Sequence, residues 1–405
     1  MDIKQYFDIT NTKENIITLA AGTIFLPYIF TATILITLAI YIILNKDTRK
    51  LIFQHKDSGK LEFFFFFILI VPYAYGNWLG FIVGICIILA AVLGLYMRSI
   101  MTHEIYENVL TQICFFSIIG TSCAVTQKYI IPLLDHDYST NRISAMFFHP
   151  NYFGTIAGTV IIICAYKILT GQEKKWMYYG IALMNVISIY LCKSMFAWVE
   201  VFVGITVLLY ITKMHHLLVL WVFTAAVAGF VIFVLDIQLI PRLSEAGETF
   251  RLRIAIWDYA MEQIKESPII GHGPMSYVFL SHKLGRVVPH AHSIYIDMML
   301  NYGLAGVSIF LLYFMKYFTS IFRVCFKENQ PRINALILSV TAAALVHGIT
   351  DLTLMWVQTM PLFVILIAGF GAYEREEAVV KVQADYSYKE AIYHFAMIKY
   401  KPSNR

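Results

Sequence analysis

The sequence predicts an all-α membrane protein, a polytopic bundle of about 10–12 transmembrane helices with one large extracytoplasmic loop that contains a short amphipathic helix. Three observations support this fold class. Hydrophobic residues make up 59% of the 405 residues and charged residues only 14%, whereas a soluble domain carries about 25% charged residues. Apolar stretches long enough to cross a bilayer recur along the chain. Basic residues lie between these stretches, as orientation signals do.

The apolar stretches give the predicted spans in order. The first, Ile16 to Leu44, is too long for the core of a secretory signal and no small-residue cleavage site follows it, so we expect it to be retained. Pro27 interrupts this stretch, which forms either one long tilted helix or two short segments. The other stretches lie at about 61–75, 78–97, 109–131, 146–168, 176–192, 195–212, 216–235, 293–321, 333–350 and 356–373.

Lys and Arg in the loops predict the orientation of the chain in the cell membrane. Three basic loops, at 45–60, 169–175 and 322–332, fall on one side when the spans are counted, and we expect that side to be the cytoplasm. The 132–145 loop, the 236–292 segment and the 351–355 turn then lie outside. The formal charge of +5 therefore reflects orientation signals, and no nucleic-acid partner is indicated.

The chain divides into four predicted parts: an N-terminal transmembrane bundle (1–235), an extracytoplasmic loop (236–292), C-terminal transmembrane helices (293–373) and a cytoplasmic tail (374–405). The loop is long enough to be functional. Its helical pattern runs from about Phe250 to Glu266 and ends in a turn rich in proline and glycine. One face of this helix is predicted to hold Arg253, Trp257, Ala260, Met261 and Ile264.

Two arginines of this helix are candidates for binding an anionic substrate. Arg253 lies on the apolar stripe, where an arginine needs an anionic partner or a route to water. It can bind a phosphate or diphosphate through its fork of donors, or it can extend to the lipid headgroups. Arg251 lies on the solvated face of the same helix and is the second candidate.

His290 and His292 close the long loop just before the 293–321 span. A histidine there can accept a proton from a hydroxyl near neutral pH, and the start of the next helix favours an anion. A metal site with His272 and His282 is the rival interpretation, but the loop offers no carboxylate or cysteine at ligand spacing. The other alternative is simply a polar helix start at the membrane surface.

Further candidates lie near the outer ends of other spans. His347 and Asp351 are four residues apart and would share one helix face, where ionisable residues are usually functional or paired. Asn151 opens a span after a proline, which also fits ordinary helix-start chemistry. Lys193, with Glu200 nearby, could contact a phosphate or could be a simple loop charge.

No cofactor is predicted. The chain lacks a phosphate-binding nucleotide loop, a dinucleotide-binding glycine pattern after a strand, and the HExxH metal motif. None of the six cysteines forms a CxxC pair, and all lie in or beside apolar segments. They are typical of buried apolar positions and not of disulfides or metal ligands.

Three stretches resemble the O-antigen ligase and polysaccharide polymerase family. Residues 250–257 (FRLRIAIW) and 267–273 (SPIIGHG) are similar to the Arg-x-x-x-Trp and Pro-x-x-Gly-x-Gly motifs of its outer loop. Residues 290–293 (HAHS) and 301–306 (NYGLAG) are similar to its His-Asn ending and the helix that follows. Residues 149–154 (HPNYFG) resemble its upstream helix start. Arg253 and His292 match the arginine and histidine of that family.

The chain departs from the family pattern at two positions. Met195 stands where members often carry an arginine, and Ser293 stands where asparagine is usual. Lys193 could substitute for the missing charge, but lysine lacks the bidentate fork of arginine.

The resemblance implies a metal-independent membrane glycosyltransferase without cofactors. Its donor would be an oligosaccharide on a polyprenyl diphosphate, and its partners would be the lipid bilayer and a glycan acceptor. Arg253 and Lys193 would bind the diphosphate, and His292 beside His290 would accept the acceptor proton. Further contacts with the diphosphate or the glycan would come from Arg251, Asn151, His347 and Asp351. Polymerisation of surface polysaccharide repeat units is the first expectation. Ligation to a lipid, wall or protein acceptor is the alternative, and transport of lipid-linked sugars is the second alternative.

Overall fold

A computed structural model describes residues 12–53, 58–136, 138, 140–171, 174–235, 245–281, 288–327 and 332–372. The structure is 83% helical, and no strand occurs in the described residues. This confirms the predicted all-α class. The predicted cytoplasmic tail, 374–405, and His282 lie outside the described residues, as do parts of the 236–292 segment.

Sixteen α-helices form the described chain. They are α1 (Thr12–Thr23), α2 (Tyr28–Leu44), α3 (Lys46–Phe53), α4 (Ser58–Ala74), α5 (Trp78–Ile100), α6 (His103–Val125), α7 (Ile131–Leu134), α8 (Pro150–Thr170), α9 (Lys175–Cys192), α10 (Met195–Ile211), α11 (His215–Val234), α12 (Ala246–Glu266), α13 (Ser276–Leu280), α14 (Ile294–Lys327), α15 (Arg332–His347) and α16 (Thr359–Ala368). A π-helical turn, Thr126–Ile130, joins α6 to α7.

Several of these helices are long and apolar enough to cross a membrane. Among the described residues there are five, with a sixth if α2 and α3, bent by 94°, form one span. Three shorter apolar helices, α10, α15 and α16, accompany them. The protein is therefore a multi-pass membrane protein, and the expected total of about 10–12 spans stays a prediction. The first apolar stretch forms two helices, because Pro27 ends one segment and precedes α2.

Helix α8 lies at the centre of the bundle and packs against α9, α10 and α15. Two glycines on α8 let α10 approach closely. A Cβ atom on Gly154 would lie 2.6 Å from Cβ of Ser194, and one on Gly158 would lie 3.3 Å from Cδ of Glu200. This contact brings the N-terminal part of α10 against the start of α8, where several of the candidate residues lie.

Helix α12 is the amphipathic helix that the sequence predicts in the long loop. It ends at Glu266 as predicted and begins four residues before Phe250, at Ala246. Its buried face holds Ile256, Ala260, Gln263 and Ile264. Met261 was expected on this face but is 46% exposed. At 100° per residue Met261 lies at the edge of the stripe, so Ile256 takes its place against the protein.

The turn after α12 is fastened to α14 through the backbone. The His272 N–H donates to the Leu300 carbonyl at 3.0 Å, and the Leu304 N–H donates to the Pro268 carbonyl at 2.9 Å. Gly303 interrupts α14 with φ of 58° and ψ of −173°, a conformation open only to glycine. A Cβ atom on Gly303 would lie 2.4 Å from the Ile269 carbonyl oxygen. Gly303 therefore allows the turn after α12 to pack closely against α14.

Replacing Gly303 by alanine should release this turn. The new Cβ atom collides with the Ile269 carbonyl and the backbone conformation becomes strained, at a cost of about 1–3 kcal/mol. We expect a lower unfolding temperature of the detergent-purified protein and faster protease cleavage within residues 267–274. Gly180→Ala in α9 is the control, because its added Cβ meets no atom within 4 Å. Equal stability of the two variants would contradict this account of the docking.

Candidate functional site

A cavity of about 270 Å³ lies where the first residues of α8 and α10 meet α12 and the end of α15. The loop before α14 completes its wall. The lining residues come from before, within and after the long loop in sequence: Arg142, His149, Asn151, Ser194, Met195, Phe196, Thr249, Leu252, Arg253, Ile256, Val288, His292, His347 and Thr350. Four candidate residues, Asn151, Arg253, His292 and His347, therefore share one cavity.

The other four candidates lie outside the lining. His290 and Asp351 are buried directly behind it, next to His292. Lys193 caps α9 in the left-handed region, with φ of 52°, and its Nζ donates to Oδ1 of Asn141 at 2.5 Å. Arg251 is exposed on α12. The roles of all eight residues stay predictions, and Lys193 and Arg251 have the weaker geometric support.

Two guanidinium groups line the cavity. Arg253 extends from α12, with its guanidinium carbon 5.7 Å from the centre of the Phe196 ring. Arg142 comes from the loop before α8, and its Nε donates to the Cys192 carbonyl at 3.2 Å. A pair of arginines in a small cavity is suited to an anion with several oxygens, because each guanidinium presents a planar fork of donors.

Sequence reasoning missed Arg142. It had assigned the second positive charge to Lys193, because Met195 occupies the position of the motif arginine. Arg142 lies instead in the 132–145 loop, which the orientation rule places outside, and it is the only Lys or Arg of that loop. A basic residue on that side is a signal that could have identified it. Its bond to the Cys192 carbonyl brings it to the turn just before Met195.

A buried carboxylate links this arginine to the two loop histidines. Arg142 Nη2 donates to Oδ1 of Asn151 at 2.5 Å, and Nδ2 of Asn151 donates to Oδ2 of Asp351 at 2.5 Å. The Leu352 N–H donates to Oδ1 of Asp351 at 2.8 Å. That same Oδ1 lies 3.6 Å from Nδ1 of His292 and 3.9 Å from Nε2 of His290.

The prediction that His347 and Asp351 share one helix face is wrong. Helix α15 ends at His347, and residues 348–350 form a turn. Asp351 therefore points to the histidines of the long loop, whereas Nδ1 of His347 lies 2.7 Å from Oε2 of Glu200 on α10. Spacing of four residues places side chains together only while the helix continues.

The two loop histidines have different environments. Their ring centres are 4.3 Å apart, and the His292 N–H donates to Nδ1 of His290 at 3.2 Å. His290 is buried, while the side chain of His292 is 28% exposed. His292 adopts φ of 48°, and this left-handed turn carries its ring to the cavity wall. His292 is therefore the imidazole of this pair that a substrate can reach.

Burial and charge set the protonation of the groups behind the cavity. Burial, and next the charge of His292, lower the pKa of His290 to about 3, so His290 is neutral at pH 7. Burial raises the pKa of the Asp351 carboxyl. The polar contact with His292, the attraction to either imidazole when that ring is protonated, and the hydrogen bond from Asn151 outweigh burial and bring this pKa below its ordinary value. Asp351 is therefore a carboxylate at pH 7.

His290, His292 and Asp351 could also hold a metal ion, because one ligand atom of each lies within 4.8 Å of the others. The cluster differs from the rival interpretation of the sequence, which placed a metal with His272 and His282. Both carboxylate oxygens of Asp351 already accept hydrogen bonds, from Asn151 and from Leu352. The absence of a metal requirement stays a prediction.

The fold and the cavity define a class of protein: an all-α, multi-pass membrane protein with a cationic, imidazole-lined cavity at one end of the bundle. Residues 180–311 match the family model described as O-antigen ligase, about a third of the chain. This match confirms the resemblance to the O-antigen ligase and polysaccharide polymerase family. It indicates a membrane glycosyltransferase activity of the O-antigen ligase type. No curated protein matches the chain significantly.

The matched region covers only part of the cavity. It contains Lys193, Arg251, Arg253, His290 and His292. Arg142, Asn151, His347 and Asp351 lie outside it, and contacts within the fold bring them to the same place.

The protonation of His290 leads to a prediction about acid stability. The unfolded chain protonates this imidazole below about pH 6.5, whereas the folded protein resists protonation until about pH 3. The unfolded state then binds more protons, so stability falls as the pH drops from 6.5 towards 3, by about 2 kcal/mol at pH 5. His290→Asn should make the fall in unfolding temperature between pH 7 and pH 5 shallower.

His136→Asn is the control for this experiment, because His136 is exposed. Its unfolding temperature should follow the same pH dependence as the unaltered protein. An unchanged slope in His290→Asn would refute a buried, neutral His290.

Proposed function

We propose that this protein transfers a glycan from a polyprenyl diphosphate carrier to an acceptor hydroxyl on the extracytoplasmic side of the cell membrane, polymerising surface polysaccharide repeat units. The single observation that carries the proposal is the meeting of two arginines and a carboxylate-backed histidine in one cavity. Glycosyl transfer from a diphosphate needs these two kinds of group: cations at the leaving group and a proton acceptor at the incoming hydroxyl.

The arginines serve the leaving group. As the bond between the anomeric carbon and the phosphate oxygen breaks, negative charge accumulates on the diphosphate. Arg253 and Arg142 stabilise that charge through directed hydrogen bonds in a site partly shielded from water. Lysine at either position would keep a positive charge but would lose the bidentate geometry. Diphosphate leaves without prior protonation, so this chemistry needs no carboxylic acid of the kind used in glycoside hydrolysis.

His292 serves the acceptor. Its Nδ1 faces Asp351, which leaves Nε2 to take the proton of the acceptor hydroxyl as the oxygen bonds to the anomeric carbon. The carboxylate of Asp351 stabilises the imidazolium that results, and it fixes the orientation of the ring. The neutral ring of His290 supports His292 from behind by accepting its backbone N–H. The proton therefore moves from the acceptor oxygen to Nε2 of His292.

The surroundings of the cavity suit a lipid-linked donor. The first residues of helix α10 line the cavity, and the rest of α10 is apolar. The next helix, α11, is also apolar, and none of its membrane-length apolar stretch is buried inside the protein. A polyprenyl chain can lie along these surfaces while its diphosphate reaches the arginines. A soluble sugar donor would not need an apolar surface beside the cavity.

The first test is loss of function in vivo and in vitro. Both His292→Ala and Arg253→Lys should lower transfer at least a hundredfold, because removing a catalytic proton acceptor costs about 10²–10⁴ in rate and lysine cannot restore the fork. Long glycan is measured in a polysaccharide-deficient strain, at matched membrane levels, and in proteoliposomes with a lipid-linked oligosaccharide.

Two exposed residues that do not line the cavity supply matched controls. His215→Ala at the start of α11 and Arg49→Lys on α3 change the same residue types on the surface, and they should leave transfer unchanged. Glycan of normal length in His292→Ala would rule out this proton acceptor. A single repeat unit joined to a different acceptor, with no elongation, would identify ligation in place of polymerisation. Lipid-linked sugar moved across the bilayer without bond formation would identify transport.

A second test concerns metal. In the proposed mechanism the arginines supply the positive charge, and hydrogen bonds already engage Asp351. Transfer in proteoliposomes should therefore persist after treatment with a strong chelator, and added Mg²⁺, Mn²⁺ or Zn²⁺ should not raise it more than about twofold. Loss of transfer with the chelator and its return with one metal would assign the cluster of His290, His292 and Asp351 to that metal instead.

A further inference from the structure

Glu200 is a carboxylic acid with no exposed surface, held in the interior between α8, α10 and α15. Its Oε1 accepts a hydrogen bond from the Thr159 hydroxyl at 3.0 Å, and its Oε2 lies 2.7 Å from Nδ1 of His347. A carboxylate without such partners would be costly at this depth. Glycine at position 158 makes the room, since a side chain there would meet the Glu200 carboxyl.

The hydrogen bonds define which nitrogen of His347 carries the hydrogen. The Thr155 hydroxyl donates its only hydrogen to the Asn151 carbonyl at 3.1 Å, so towards Nδ1 of His347, also at 3.1 Å, it can only accept. Thr159 donates to Glu200, which leaves the carboxylate to accept from Nδ1 as well. With Glu200 as a carboxylate, this arrangement makes Nδ1 the donor of the ring, and Nε2 in this tautomer keeps its lone pair.

His347 is at the same time a lining residue of the cavity, although its side chain is only 1% exposed. The His347 ring thus forms part of the cavity floor. Its Nδ1 is hydrogen-bonded in the interior, and its Nε2 remains available to a group in the cavity. A pair whose only task was to join α10 to α15 would gain nothing from this placement. Replacing both partners of a buried hydrogen-bonded pair by apolar groups of the same shape can be nearly neutral or even stabilising.

We infer that Glu200 is a positioning residue that holds His347 by Nδ1, so that Nε2 accepts a hydrogen bond from a hydroxyl of the substrate glycan at the floor of the cavity. The inference rests on the proposed glycosyl transfer and adds a glycan contact to it. His347 contacts the sugar, and Glu200 acts only through His347. This arrangement follows the general logic by which a carboxylate fixes the tautomer and orientation of an imidazole that performs the task.

A double-mutant cycle tests this coupling. Glu200→Leu, His347→Leu and the double variant are compared in proteoliposomes with a synthetic polyprenyl-diphosphate-linked oligosaccharide, and rates are corrected for folded protein. Each single variant should raise KM for the donor about tenfold with little change in kcat, since the contact exists before and during transfer. The double variant should be no worse than the single ones, because Glu200 acts through His347.

Two further variants separate positioning from folding. Glu200→Gln keeps an acceptor oxygen for Nδ1 and should restore KM to within about threefold of the unaltered protein. Glu107→Leu is the control, since Glu107 forms a salt bridge with Lys167, at 2.5 Å between α6 and α8, and neither residue lines the cavity. Its KM should be unchanged.

The tautomer of His347 gives a readout that is independent of transfer. In protein labelled with ¹⁵N-histidine, the His347 signal, identified by its loss in His347→Leu, should show hydrogen on Nδ1, and Glu200→Leu should shift it towards Nε2. Additive effects in the double variant, an unchanged KM in Glu200→Leu, or an unchanged tautomer would each overturn the inference. Absence of transfer by the unaltered protein would instead refute the proposed function, and the NMR result would still stand for the positioning of His347.

Discussion

The site depends on the burial of one carboxylate, Asp351. A carboxylate at 2% exposure is tolerated only when its oxygens are satisfied, and the partners here come from separate parts of the chain. Asn151 belongs to α8, and His290 and His292 belong to the end of the long loop. The cost of leaving Asp351 unpaired therefore holds these segments together, and the cavity forms at the place where they meet.

Local patterns in the sequence predicted a large part of this architecture. The long apolar runs specify helices in a bilayer irrespective of their neighbours, because unsatisfied backbone groups are too costly in lipid. Pro268, Gly271 and Gly273 predicted the end of α12, since these residues prevent a helix from continuing. Arg253 could be identified because a charged side chain on the apolar face of a helix needs an anionic partner or a route to water. Each of these signals is contained within about twenty residues.

The remaining features are long-range and could not be read from spacing. Arg142 reaches the cavity because α8 and the end of α9 meet, and Glu200 meets His347 across 147 positions of the chain. Helical periodicity gave a wrong prediction at Asp351, because the helix was expected to continue but ends at His347. A single sequence shows which residues are chemically unusual, and the packing of α8, α10 and α15 decides which of them become partners.

Two of the three imidazoles that line the cavity, those of His292 and His347, are backed by carboxylates, and their different exposure separates their tasks. His292, whose side chain is 28% exposed, can meet an acceptor that arrives from outside the protein. His347, 1% exposed at the floor, can meet only a group that has already entered. The ring of His347 lies too deep to take a proton from an acceptor that is still entering the cavity. The geometry therefore favours one imidazole for proton transfer and the other for holding the bound glycan beside the arginines.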